Sequence, residues 1–157
     1  VKLNHNQRRY EMRHPKPNNF EFTTAEKPLV YACSGCSNVA QLANDVAVVL
    51  DKEGHAEMSC IAGVGGRVKS MVHLAQSGRP ILAIDGCALN CVLQTLKQVD
   101  VTPTWHLEVT DFGFKKISQQ DCDLVDAYKM LQHIQCNLLS PEELQHVEIT
   151  VEAHKHH

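Results

Sequence analysis

The chain has 157 residues, of which 43% are hydrophobic and 21% charged, so we expect one globular domain. A domain of this length buries roughly two-thirds of its unfolded surface and needs neither disulfides nor a metal to hold its core. The net charge of −3 gives no reason to expect a nucleic acid or an anionic membrane as a partner. No apolar run approaches the ~20 residues of a membrane helix, and the first residues lack the apolar stretch of a secretory signal.

Residues 1–27 are polar and include two closely spaced prolines, which predicts an arm preceding a domain over residues 28–153. The domain begins with an apolar run at 28–32, typical of a buried parallel strand. Residues 39–50 then carry apolar side chains at helical spacing. Further elements are predicted in the order strand 55–61, helix 68–75, strand 80–84, helix 87–96, strand 104–109 and helix 118–139.

This alternation of strands and helices favours a three-layer α/β fold, with about four parallel strands and helices on both faces. Of the flavodoxin-like and Rossmann-like versions, we favour the flavodoxin-like strand order because the chain is too short for six strands with their helices. A short helix capped at Ser140-Pro141, an edge strand at 147–151 and a His-rich end at 154–157 complete the prediction.

Five of the seven cysteines lie where predicted strands end and helices begin, and such junctions meet at the carboxyl edge of a parallel sheet. Cys33 and Cys36 have a spacing that lets both sulfurs bind one ion from a single turn. Cys87 and Cys91 are four residues apart at a predicted helix start, where the dipole favours thiolates. If the first and third strands are neighbours, about 4.8 Å apart, these four thiolates can surround one Zn²⁺. Cys60 is expected nearby as an alternative ligand, an outer-shell group or a resolving thiol.

Several motifs in this stretch resemble those of the DGC domain proteins, a family described as zinc-binding. The resemblance covers about residues 28–115 and rests on four motifs: Cys33-Ser34-Gly35-Cys36, Ala62-Gly63-Val64-Gly65-Gly66-Arg67, Asp85-Gly86-Cys87 and Cys91. It implies a zinc site on four cysteines, which correspond here to Cys33, Cys36, Cys87 and Cys91. It supplies no reaction.

Several other residues have a structural or a functional interpretation. Asp85 is interpreted either as a support that accepts hydrogen bonds from loop N–H groups or as a plain turn residue. The glycines of 63–66 form a turn that either brings backbone close to the cysteines or presents N–H groups to an anion. His106 is expected to be packed, as are Cys122 and Cys136.

We therefore expect a cytoplasmic zinc-binding protein, because cysteines clustered without a secretory signal are typical of a reducing compartment. A closed four-thiolate site has no place for water, which favours a structural, metal-handling or sensing role over catalysis. Two alternatives use the same cysteines: a thiol–disulfide redox enzyme and an iron–sulfur electron-transfer protein. The sequence supports no particular catalytic reaction, and the expected partner is the metal ion.

Overall fold

A computed structural model describes residues 27–121, 123–135 and 137. Its strands are β1 (Leu29–Ala32), β2 (Glu57–Met58), β3 (Ile81–Asp85) and β4 (Trp105–Glu108). Its helices are α1 (Asn38–Lys52), α2 (Ile61–Gly65), α3 (Lys69–Ala75), α4 (Cys91–Lys97) and α5 (Leu124–Ile134), with a 3₁₀ turn at Val109–Phe112. Residues 1–26 of the predicted arm, the helix at Ser140, the edge strand, the His-rich end, Cys122 and Cys136 lie outside the described residues.

The four strands form one parallel sheet in the order β2-β1-β3-β4. This confirms the predicted α/β fold and places the first and third strands side by side. All residues of β1 and β3 are buried. Both faces of these central strands are covered, which is why their sequences are continuous apolar runs rather than alternating ones.

Helices cover both faces of the sheet, as predicted. On one face, Val39, Leu42 and Val46 of α1 pack with Met130 and Ile134 of α5. On the other face, the core joins residues of α2, α3 and α4, namely Val64, Ala75, Val92 and Leu96, to alternate residues of β1 and β3. None of the helices among the described residues is both long and apolar enough to cross a membrane.

Three boundaries differ from the prediction. The second strand is Glu57–Met58 rather than 55–61, and an additional short helix, α2, begins at Ile61. Arg67, with φ of 57°, separates α2 from α3, and α3 agrees with the predicted helix at 68–75. The third helix begins at Cys91, after Asn90 with φ of 51°, so Cys87 lies in the preceding turn. Residues 115–119 precede α5 without being helical, whereas the prediction began a helix at 118.

Candidate cysteine site at the carboxyl edge of the sheet

Strands β1 and β3 bring the two cysteine pairs to the same edge of the sheet. Ala32 is in register with Ile84, and the Cys33 N–H donates to the Ile84 carbonyl over 2.8 Å. Cys33 and Cys36 therefore occupy the loop after β1, beside the loop after β3 that carries Cys87. The short α4 then begins at Cys91.

The glycine between Asp85 and Cys87 allows these two loops to touch. A Cβ added to Gly86 would lie 2.9 Å from the Ala40 nitrogen and 3.0 Å from the carbonyl carbon and oxygen of Val39. Those atoms belong to the first turn of α1, whose N-cap, Ser37, directly follows Cys36. The β3 loop thus rests on the backbone that continues the Cys33–Cys36 loop, at a distance that a side chain would prevent.

Asp85 is fully buried and ties this edge together. Its carboxylate accepts hydrogen bonds from the Val92 N–H at 2.8 Å and the Leu93 N–H at 3.1 Å, both in the first turn of α4. A carboxylate oxygen also lies 2.9 Å from Nε2 of His106, which is mostly buried on β4. Asp85 therefore accepts N–H hydrogen bonds, as one of its two interpretations expected, but from the first turn of α4 rather than from a loop. Because the carboxylate takes these two amides, they are not directed at the thiols, contrary to the expectation for this helix start.

The five cysteines of this edge are free thiols with unequal exposure. Cys33 and Cys87 are half-buried, whereas Cys36, Cys60 and Cys91 are exposed. Burial raises the pKa of the Cys33 thiol above its usual value, and the Gly86 backbone N–H opposes that effect. Negative charge at Cys91, Asp85 and Cys87 raises this pKa further. Cys33 is therefore electrostatically coupled to both cysteines of the second pair.

A cavity of about 170 Å³ opens beside the cluster, between the β1 loop and helices α2 and α4. Cys33 and Cys91 both line it. The remaining lining residues are small or apolar: Ser34, Ile61, Ala62, Gly65, Val92 and Thr95. One residue from each cysteine pair thus lines the same cavity.

Cys60 caps a helix on the neighbouring loop. It is the N-cap of α2, and its sulfur accepts a hydrogen bond from the Gly63 N–H over 3.4 Å. Within the glycine-rich segment, the amides of Val64 and Gly66 bond to the carbonyls of Cys60 and Ala62. The anion-binding reading of the glycine-rich turn therefore lacks support, because these amides already have partners. The structure places Cys60 outside the lining of the cavity.

Residues 115–119, here called the strap, were not expected at the site. The Asn38 side chain donates to the Lys115 carbonyl at 2.9 Å and accepts from the Ile117 N–H at 2.7 Å. The Gln119 N–H donates to the Cys36 carbonyl at 3.0 Å. The strap therefore runs along the loop after β1, and Lys116 donates from Nζ to the Cys87 sulfur at 3.3 Å. No sequence pattern marks this contact.

Comparison with known proteins identifies the family of the chain. The model of the DGC domain matches residues 29–134. The chain belongs to the DGC domain family. The Anaerobic and virulence modulator AnvM of Pseudomonas aeruginosa is 56% identical over 114 residues, which cover 73% of this chain and 86% of that protein. No solved structure matches the chain.

In this DGC domain protein, the three consecutive residues starting at the end of β3 have separate tasks. Asp85 holds the start of α4, Gly86 allows contact with α1, and Cys87 presents its sulfur to the strap. Across residues 27–121, 123–135 and 137, the structure contains no group of three or more His, Cys, Asp or Glu side chains placed to hold a metal ion. The four predicted ligands thus share an edge without forming a coordination shell as they are placed.

Proposed function

We propose that this DGC domain protein binds one Zn²⁺ through Cys33, Cys36, Cys87 and Cys91 and acts as a modulator rather than as a hydrolase. The observation that carries the proposal is the direct contact between the two cysteine loops. The Cys33 N–H bonds to β3, and Gly86 rests against the first turn of α1. Four thiols on adjoining loops are a donor set that suits Zn²⁺.

Closing a four-thiolate shell requires the cysteine side chains to rearrange, because they do not form such a group as they are placed. Each thiol must also lose its proton, and burial makes that loss harder for Cys33, whose pKa is raised. When bound, the ion supplies charge neutralisation and cross-links the two loops. Such a site offers water no open position, which is the reason for proposing regulation or metal handling over hydrolysis.

The similar Pseudomonas aeruginosa protein is named an anaerobic and virulence modulator. We extend the role of modulator to this chain, with the cysteine site as the responsive element. Thiolates that bind zinc are also open to oxidation, and their conversion to disulfides releases the ion. A site of this kind responds both to metal supply and to oxidants.

Metal analysis of anaerobically purified protein tests the proposal. We expect one zinc per chain, no visible absorption band, and a large fall in metal content in each of four variants, Cys33→Ser, Cys36→Ser, Cys87→Ser and Cys91→Ser. Cys60→Ser is the matched control, because Cys60 caps α2 on a separate loop, and it should keep most of the metal. Unchanged zinc in all four variants would reject the site, and a brown protein with iron and sulfide would replace zinc with a cluster.

The cavity lined by Cys33 and Cys91 favours a second candidate, thiol–disulfide exchange. In that reaction one thiolate attacks a substrate disulfide and releases one substrate thiolate. A second cysteine then displaces the other, so that two electrons pass to the substrate and a protein disulfide forms. One rapidly alkylated cysteine in metal-loaded protein, with catalysed reduction of a disulfide, would favour this candidate over the closed zinc site.

A further inference from the structure

The proposed zinc site has a charge that must be balanced. Four thiolates and one divalent ion carry a net charge of −2, and like charges gathered in one place repel. Asp85 adds a further carboxylate at the same edge, although two amides and His106 already satisfy it. A positive side chain in contact with one of the sulfurs would relieve this repulsion.

The strap supplies such a side chain. Lys116 places Nζ 3.3 Å from the Cys87 sulfur and donates a hydrogen bond to it. The main chain on either side of Lys116 is fixed, because the one amide group of Asn38 bonds both the Lys115 carbonyl and the Ile117 N–H. Asn38 is itself buried at the first residue of α1. The position of the Lys116 backbone is therefore set by the fold, although its side chain is exposed.

We infer that Lys116 is a charge-compensating residue of the cysteine site, which strengthens metal binding through its contact with Cys87. The inference rests on the proposed zinc function and adds a residue outside the four ligands. Hydrogen-bonding partners of metal ligands change metal affinity by about 10–100-fold when they are removed. Because Lys116 is exposed to solvent, we expect the lower end of that range.

Chelator competition with Zn²⁺ alone as the probe tests this inference. Lys116→Gln should weaken zinc binding about tenfold, whereas Lys116→Arg, which keeps the positive charge, should weaken it clearly less. Lys115→Gln is the matched control, since its backbone carbonyl and not its side chain holds the strap, and its affinity should not change. The difference in zinc affinity between wild type and Lys116→Gln should become smaller at high salt, because salt screens exposed charges.

Several outcomes would overturn the inference. Equal zinc affinity of wild type and Lys116→Gln would do so, as would an equal loss in Lys115→Gln, which would indicate a general effect of charge. A lower melting temperature of metal-free Lys116→Gln would assign the residue to the fold instead of the site. A wild type that binds no zinc would overturn this inference and the proposed function together, whereas the first three results leave the zinc site standing.

Discussion

Replacing Gly86 with alanine tests whether the contact between the two cysteine loops is structural. The new Cβ would stand 2.9–3.0 Å from three main-chain atoms of Val39 and Ala40. Carbon contacts are favourable at about 3.5–4.0 Å, so the loop or the first turn of α1 must move by about 0.5 Å or more. Overpacking of this kind costs about 1–3 kcal/mol. In a domain of this size that lowers the melting temperature by roughly 2–12 °C.

Thermal unfolding of the metal-free protein, followed by circular dichroism, measures this effect. Gly65→Ala is the matched control, because its Cβ would meet only the Thr95 methyl at an ordinary 3.5 Å. Since Gly65 lies within α2, alanine there should leave stability unchanged or raise it by up to about 1 kcal/mol. Gly86→Ala should also speed alkylation of Cys33 as the loops separate. Equal melting temperatures for wild type and Gly86→Ala would refute the close contact.

Three further predictions concern the supports of the site. Asp85→Ala leaves two amides of α4 and His106 without their buried carboxylate, and it should lower the free energy of unfolding in urea by about 3–5 kcal/mol. A loss of stability below about 1 kcal/mol would contradict the role of Asp85 in holding α4. Asn38→Ala removes the two side-chain hydrogen bonds to the strap and should cost about 1–3 kcal/mol. Hydrogen exchange at the Ile117 amide should become faster, whereas unchanged protection there would show that the remaining contacts hold the strap. Burial raises the pKa of Cys33 above 9.0, so in metal-free protein Cys33 should be alkylated more slowly than the exposed Cys36 at neutral pH. The alkylation rate of Cys33 should still increase with pH above pH 9.0. Mass spectrometry of the labelled peptides measures both rates. The folded chain holds the Cys33 thiol proton more tightly than the unfolded chain does. The stability that this difference contributes is present below pH 9.0 and is lost as the pH rises beyond it. An alkylation rate of Cys33 that levels off below pH 9.0 would contradict the raised pKa.

The sheet could be predicted because its signal is local and strong. Strands Leu29–Ala32 and Ile81–Asp85 are continuous apolar runs, typical of central strands in a parallel sheet. Helix α2 could not be predicted in the same way. Its five residues include Gly63 and Gly65, and glycine is unfavourable within a helix. Helix α4 begins at Cys91 rather than at Cys87, because Asn90 before it adopts a left-handed backbone that the apolar spacing does not indicate.

The meeting of the two cysteine loops follows from the strand order, and the sequence pattern favours that order. The sequence also offers Asp85 as an acceptor of N–H hydrogen bonds. The strap could not be found in this way, because it is held by hydrogen bonds to residues 36 and 38, including two from the Asn38 side chain to backbone groups 77 and 79 residues further along the chain. A polar contact of that range leaves no periodic signal in the sequence.

The strap also determines the order in which the site is completed during synthesis. Asn38 is made long before its partners, the Lys115 carbonyl and the Ile117 N–H. At about 5–20 residues per second, roughly 4–15 s of translation separate them. All five edge cysteines precede residue 115, so a nascent chain carries them before Lys116 exists. The contact between Lys116 and Cys87 is therefore one of the last parts of this edge to form, because both loops that carry the thiols are made before it.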